Sequence, residues 1–154
     1  MAKEDGINKL GFWWTTVIVT IVGTLVDNLF MVINKNVNSE AYASARGYFS
    51  SSQPDYFPLL YLVAVFVATL IIVWLYAILL PRLPEHWLFR GLLVGIVLYI
   101  VTDLSHLIEN GYITSIPGAA ARGMAFFALL ASLIDGAILS YVYSWISGER
   151  KKKK

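Results

Sequence analysis

The chain has 154 residues, of which 58% are hydrophobic and 14% charged, and its mean hydropathy is +0.66. This composition is too apolar for a soluble globular domain and predicts one unit in a lipid bilayer. Cysteine is absent, which excludes disulfides, thiolate metal sites and cysteine nucleophiles. The net charge is +2 and the basic residues are concentrated in the carboxy-terminal tail, so we expect the bilayer, and no nucleic acid, as a partner.

Four apolar segments predict an all-α integral membrane protein. They cover residues 12–33, 57–80, 91–110 and 122–146. Each is long enough to cross a hydrocarbon layer of about 30 Å at a rise of about 1.5 Å per residue. A polar outer loop, 34–56, joins the first two segments, and a basic tail, 149–154, follows the last. The whole chain, 1–154, is therefore predicted to form one membrane domain, an antiparallel bundle of four transmembrane helices.

The distribution of lysine and arginine indicates the orientation. If the amino terminus is inside, nine basic residues lie on the cytoplasmic side and three on the outer side. Cytoplasmic loops carry such an excess, so both termini are expected to be cytoplasmic. The tail is interpreted as an inside anchor against the lipid headgroups. Its basic residues are Arg150, Lys151, Lys152, Lys153 and Lys154.

Polar and ionisable residues interrupt the third segment, which reads YIVTDLSHLIEN from Tyr99 to Asn110. Charged side chains in hydrocarbon cost roughly 2.5–3.5 kcal/mol each on insertion scales. They therefore occur mainly where they pair with another group, contact water or have a function. On a regular α-helix, Asp103 and His106 lie on one side together with Asn110. This segment is predicted to form one wall of a polar site.

Aspartates on two other segments are expected to reach a similar depth. At about 1.5 Å per residue, Asp27 and Asp135 fall with Asp103 in the middle to outer part of the layer. Asn34 extends the Asp27 face toward the outer loop, and Glu109 lies near the outer end of the third segment, so both are assigned to the rim. The predicted ion-binding residues are Asp27, Asp103, His106, Asp135 and Asn110.

Three interpretations of this set remain open. Asp103 and His106 have the i, i+3 spacing of a carboxylate–histidine metal site, but a di-iron site needs that motif on two helices and it occurs once. An ion or proton relay would use His106 as its switch, although a complete path to the cytoplasmic side is not visible. In the third interpretation, these residues form hydrogen bonds between helices that fix the helix register and have no other role. Such hydrogen bonds average about 0.6 kcal/mol in a membrane bundle, which favours a binding or transport role.

Small residues predict where helices pack closely. Gly91 and Gly95 have a spacing that lets another helix approach. The fourth segment carries a small residue at every fourth position, a stronger packing signal; these are Ala128, Ser132, Gly136, Ser140 and Ser144. The second segment has no charge and is assigned a structural role.

The motifs VDNLF at Asp27, TDLSH at Asp103 and LIDGA at Asp135 resemble a family of small bacterial four-helix integral membrane proteins. That family carries aspartates in helices one, three and four. This sequence has Ser105-His106 where the family has threonine-asparagine, and Thr102 where it has tyrosine. The resemblance implies a bacterial cytoplasmic (inner) membrane and lends no activity, because the family has none established.

Two functional hypotheses follow from the sequence. In the first, the protein binds or moves an ion, a proton or a small solute at the Asp/His site. In the second, it is a non-catalytic accessory or assembly subunit, with a homo-oligomer or a larger membrane complex as its partner. An enzyme is the least supported class, because no nucleophile–base arrangement and no phosphate-binding loop occur. The sequence identifies no cofactor.

Overall fold

The computed structural model describes residues 9–44, 57–104 and 118–147, and in these ranges all regular secondary structure is helical. The helices are α1 (Lys9–Val37), α2 (Ser39–Ser44), α3 (Phe57–Leu79), α4 (Trp87–Leu98) and α5 (Gly118–Ile146). A 3₁₀ turn, Leu80–Arg82, follows α3, and a π-helical segment, Tyr99–Leu104, continues α4. The all-helical fold agrees with the class predicted from the sequence.

In the part of the chain that the structure describes, three helices are long and apolar enough to cross a membrane. They are Gly11–Val37, Leu59–Arg82 and Ala121–Ile146, and the apolar helix Trp87–Thr102 is shorter. Large apolar side chains cover their outer faces; Leu25 is 65% exposed and Leu59 is 69% exposed. Apolar faces of this extent are typical of contact with lipid or with another apolar surface. The structure thus supports a membrane protein with three long apolar helices.

The polar end of α1 extends four residues beyond the predicted boundary at Ile33. The buried Asn34 amide donates a hydrogen bond to the Tyr42 hydroxyl of α2 (2.8 Å), and Asn38 donates to the Asn34 Oδ1 atom (2.8 Å). These bonds satisfy polar groups that would otherwise favour ending the helix. The predicted outer loop therefore contains a helix that is tied to the end of α1.

The closest helix contact in the described residues joins α4 to α5. A Cβ atom built on Gly95 would lie 2.5 Å from the Ser132 carbonyl oxygen and 2.7 Å from the Leu133 Cα atom. One built on Gly91 would lie 2.6 Å from the Ala137 Cα atom. The Gly91/Gly95 spacing predicted such an approach, and the structure shows that α5 is the helix that makes it.

A buried apolar cluster fills the bundle on the side where α3 ends and α4 begins. It consists of Val19, Val73, Tyr76, Leu139, Val142 and Tyr143. Val73 and Leu139 are 0% and 1% exposed, and the Tyr76 and Tyr143 rings meet edge to face at 5.2 Å. We refer to this group as the apolar plug, because it closes the interior between α1, α3 and α5 at this level.

The π-helical segment changes the geometry that a regular α-helix predicts for the third apolar segment. Its backbone hydrogen bonds run from i to i+5, so successive residues turn less than 100° about the axis. The angular relation predicted between Asp103 and the residues after it assumed an uninterrupted α-helix. The backbone is π-helical over Tyr99–Leu104, and the later residues of that prediction lie outside the described ranges, so their common side stays a prediction. Single π-helical turns within α-helices are frequent at functional sites.

Replacing Gly95 with alanine is expected to lower the free energy of unfolding in detergent by about 1–3 kcal/mol. The added methyl group would overlap backbone atoms of α5, which move only if the two helices separate. Gly23→Ala is the matched control, because its Cβ atom would lie 3.4 Å from its nearest neighbour, an ordinary contact. Equal stability of the two variants in denaturant titrations would contradict the close α4–α5 contact.

Candidate functional site

A cavity of about 300 Å³ lies between α1, α3, α5 and the α4/π segment. Its polar lining residues come from all four elements. They are Thr20, Thr24, Asp27, Thr69, Thr102, Ser132 and Asp135. The other lining residues among those the structure describes are apolar or glycine and include Val19 and Leu139 of the apolar plug. The cavity therefore combines two carboxylates and several hydroxyl groups in an otherwise apolar bundle.

This cavity lies halfway along the three long apolar helices. Thr24 is the middle residue of Gly11–Val37, and Thr69 and Ser132 are within two residues of the middle of their own spans. Polar groups at this level are distant from both ends of the three helices. Such positions are expensive to fill with ionisable residues and are characteristic of binding and transport sites in membrane proteins.

Asp135 lies against α1 at Gly23. A Cβ atom built on Gly23 would lie 3.4 Å from Asp135 Oδ1 and 3.7 Å from Asp135 Cγ. The Asp135 carboxylate therefore lies beside the α1 backbone one helical turn from Asp27, at a distance that would still leave room for a methyl group. The two aspartates thus enter the same cavity from facing helices.

Three of the threonine hydroxyls donate their protons to their own helices. Thr24 Oγ1 donates to the Thr20 carbonyl oxygen (2.7 Å), Thr69 Oγ1 to that of Val65 (2.9 Å) and Thr102 Oγ1 to that of Leu98 (2.8 Å). A hydroxyl group has one proton and two lone pairs. Once the proton is donated to the backbone, the group has only acceptor capacity left for the cavity.

The Thr20 hydroxyl differs from these three. Its Oγ1 atom is buried and has no hydrogen-bond partner within the ranges that the structure describes. Buried hydroxyl groups in proteins are nearly always hydrogen-bonded, frequently to water or a ligand. Thr20 lines the cavity, but its hydroxyl oxygen has almost no accessible surface and is enclosed by protein atoms.

The structure brings two of the predicted site residues together. Asp27 and Asp135 line the same cavity, and Asp27 is exposed at the surface of the isolated chain. Asp103 lies in the π-helical segment, but its side chain is outside the described residues. Other predicted residues also fall outside them, namely His106, Glu109, Asn110, Arg150, Lys151, Lys152, Lys153 and Lys154. Among the side chains that are described, no three His, Asp or Glu residues are grouped so as to hold a metal ion.

Asn34, assigned to the rim, lies in a hydrogen-bonded cluster at the end of α1. It is 4% exposed and contacts α5 at Gly123, where a Cβ atom would lie 2.9 Å from Asn34 Oδ1. Its side-chain Nδ2 atom donates to the Tyr42 hydroxyl, and its Oδ1 atom accepts from Asn38. The cluster joins α1, α2 and α5 and does not line the 300 Å³ cavity.

Sequence reasoning missed a buried arginine. Arg90, counted among the cytoplasmic charges, is 5% exposed, and its Nη2 atom donates to Ser144 Oγ at 3.0 Å. Its Cζ atom lies 5.9 Å from the centre of the Tyr76 ring, and Tyr76 in turn donates to Ser140 Oγ at 3.0 Å. The partners lie 54 and 64 residues away in sequence, so no local pattern indicates them.

The contribution of α3 was also missed. Thr69, Val73 and Tyr76 are buried at i, i+4 and i+7, which is one face of a helix. This face supplies Thr69 to the cavity and Tyr76 to Arg90. A threonine and a tyrosine seven residues apart in an otherwise apolar helix are a weak signal, but they mark the face that is directed inward.

Comparison with known proteins gives no matching family model, no matching curated protein and no matching solved structure.

Replacing Ser144 with alanine is expected to lower the free energy of unfolding by about 1.5–3 kcal/mol, the range for hydrogen bonds to charged groups. The variant removes an acceptor from the buried Arg90 guanidinium. Ser44→Ala is the control, since that hydroxyl is exposed and donates only to the Ala41 carbonyl oxygen. Titration with denaturing detergent measures both variants, and an equally small loss in each would argue against a stabilising Arg90–Ser144 bond.

Stability is also expected to fall at alkaline pH. Burial raises the pKa of Tyr42 above its ordinary value of 10.0, because desolvation disfavours the phenolate. The folded state therefore holds this proton more tightly than the unfolded chain. The resulting stabilisation is complete below pH 10.0 and is lost as the pH rises through the folded-state pKa. Tyr42→Phe should have a shallower alkaline decline in its unfolding midpoint, and an unchanged slope would contradict the burial of the hydroxyl.

Proposed function

We propose that the protein is a four-helix integral membrane protein whose central cavity binds or moves an ion, a proton or a small polar solute. The observation that carries the proposal is the entry of Asp27 and Asp135 from facing helices into one cavity of about 300 Å³. A device that only fixed helix register would not need this space. A solute site in a membrane bundle needs both a cavity and polar groups that replace the hydration of its ligand.

The residue pairings support an antiparallel arrangement of α1 and α4 against α5. Along α1, Gly23 meets Asp135, Phe30 meets Phe127 and Asn34 meets Gly123. Along α4, Arg90 meets Ser144 and Gly95 meets Leu133. In both cases the numbers rise in one helix as they fall in the other. Together with the excess of basic residues on the side of the termini, this supports cytoplasmic termini. The resemblance of the motifs at Asp27, Asp103 and Asp135 to a bacterial family is what supports a bacterial inner membrane.

The apolar plug suggests which side has access to the cavity. It lies between the cavity and the end of the bundle where α4 begins, which is the cytoplasmic end in the proposed orientation. Water and ions do not cross a tightly packed apolar cluster without its rearrangement. The cavity is therefore proposed to open toward the outer side, where α1 continues into α2.

The absence of cysteine allows a direct test by single-cysteine labelling. A cysteine in place of Ser132, which is 7% exposed and lines the cavity, should react with a water-soluble methanethiosulfonate reagent added from the outer side of sealed vesicles. The reaction requires the thiolate, and the thiolate forms only where water is present. The same reagent added from the cytoplasmic side should react much more slowly, because of the plug.

Leu25→Cys is the matched control on α1, because its side chain is 65% exposed on the apolar outer face and should stay unreactive in lipid. Circular dichroism and gel filtration establish that both variants fold. If Ser132→Cys is as unreactive as Leu25→Cys from both sides, the cavity is not a solute site. A purely structural or accessory role would then be the better explanation.

A further inference from the structure

We infer that a second pocket, at the end of the bundle away from the apolar plug, binds the phosphate headgroup of a membrane phospholipid, with Arg122 contacting the phosphate. This site is separate from the central cavity. It requires that the protein is in a membrane, but not that the central cavity binds a solute. The level of the pocket, the charge of Arg122 and the rings beside it support this assignment.

The second pocket lies between the end of α1 and the beginning of α5. Its volume of about 390 Å³ is within the range of about 300–1,000 Å³ that is usual for ligand pockets. Charged, polar and apolar side chains line it together, which suits an amphipathic ligand. The described lining residues are Val37, Asn38, Arg122, Gly123, Phe126 and Phe127.

The pocket lies at the level where two apolar spans end. Val37 is the last residue of the span Gly11–Val37, and Arg122 is the second residue of the span Ala121–Ile146. The end of a span that crosses a bilayer lies near the boundary between the hydrocarbon and the lipid headgroups. Phospholipids place their phosphate groups at this boundary, so the pocket is at the right depth to receive one.

Arg122 gives the pocket a positive charge. Its side chain is exposed, and its guanidinium forms no hydrogen bond or ion pair with the other described residues. A planar guanidinium binds a phosphate group through two parallel hydrogen bonds and is more weakly hydrated than an ammonium. Arg122 is therefore suited to an anionic headgroup and needs to give up no described partner to bind one.

An aromatic surface lies one helical turn below Arg122. Phe126 is four residues further into the span, about 6 Å at a rise of about 1.5 Å per residue, and on the same side of α5. Its exposed ring meets that of Phe127 edge to face at 5.4 Å, and Phe127 in turn contacts Phe30 of α1 at 6.2 Å. The guanidinium thus lies at the boundary with a preformed apolar surface directly below it.

This combination favours a phospholipid over free phosphate. A soluble phosphate ion would contact the guanidinium and gain nothing from the exposed Phe126 ring or from the exposed Val37 side chain. A phospholipid would contact Arg122 with its phosphate and the two apolar side chains with its acyl chains, which buries apolar surface as well as pairing the charge.

Native mass spectrometry of the protein in detergent tests the site with dioleoylphosphatidylglycerol and dioleoylglycerol, which share their acyl chains and differ in the phosphate headgroup. The ratio of the two dissociation constants for the first bound lipid gives the preference for phosphate. Arg122→Gln should reduce this preference by about fivefold, which corresponds to about 1 kcal/mol per basic residue near an anionic lipid surface. Arg82→Gln is the matched control, because Arg82 is an exposed arginine at the other end of the bundle and should leave the preference unchanged.

Two further variants separate the charge from the ring. Arg122→Lys should retain part of the preference, because it keeps the charge and loses the paired hydrogen bonds. Phe126→Ala should weaken both lipids alike and leave their ratio unchanged. Circular dichroism and gel filtration establish that each variant folds.

Equal losses in Arg122→Gln and Arg82→Gln, or no loss in either, would overturn the inference. Unchanged lipid binding in Phe126→Ala, together with displacement of the phospholipid by inorganic phosphate, would identify free phosphate as the ligand and contradict the phospholipid assignment. These outcomes do not bear on the labelling of Ser132→Cys in the central cavity, so the two proposals can fail separately.

Discussion

The arrangement of the bundle depends on the contact between α4 and α5 at three glycines. Gly91 and Gly95 lie against the α5 backbone around Gly136, at distances that leave no room for a Cβ atom. In lipid, where there is little hydrophobic force between helices, such close packing is a main source of association. Gly136 packs against α4. The preceding residue, Asp135, points about 100° away from that direction around the helix axis and lies against α1. The close contact on one face of α5 thus determines which residues its other face presents to the cavity.

Three threonine hydroxyls that line the cavity are hydrogen-bonded to the backbone of the helices that carry them. Hydroxyl groups in the middle of an apolar bundle cannot rely on water, and the helix backbone one turn earlier is the nearest acceptor. Thr24, Thr69 and Thr102 all use it. The hydrogen bond satisfies the hydroxyl proton within the helix. The hydroxyl oxygen can then accept further hydrogen bonds but cannot donate one.

The two ends of the interior differ in what fills them. On one side, the apolar plug and the Arg90 network form a packed region in which a buried guanidinium is held by Ser144 and by the face of the Tyr76 ring. A buried charge is tolerated only with such partners, because its desolvation is costly. On the other side, Asn34 joins α1 and α2 by amide and phenol hydrogen bonds. The carboxylate-lined cavity lies between a packed apolar region and a hydrogen-bonded polar one.

The sequence by itself determined the helical class, the apolar length of the helices, the Gly91/Gly95 packing motif and the choice of Asp27 and Asp135 as unusual residues. These features are visible locally, because hydropathy, spacing and a carboxylate in an apolar segment need no knowledge of neighbours. Only the tertiary structure decided that Thr20, Thr24, Thr69 and Thr102 share a cavity with the aspartates and that Arg90 is buried. Those facts depend on which helix faces meet and on a π-helical segment that changes the phase of the third apolar segment. The meeting of helix faces is not visible in the sequence of one helix, because it depends on contacts between residues more than 50 positions apart. The π-helical segment is a backbone irregularity that residue spacing does not reveal.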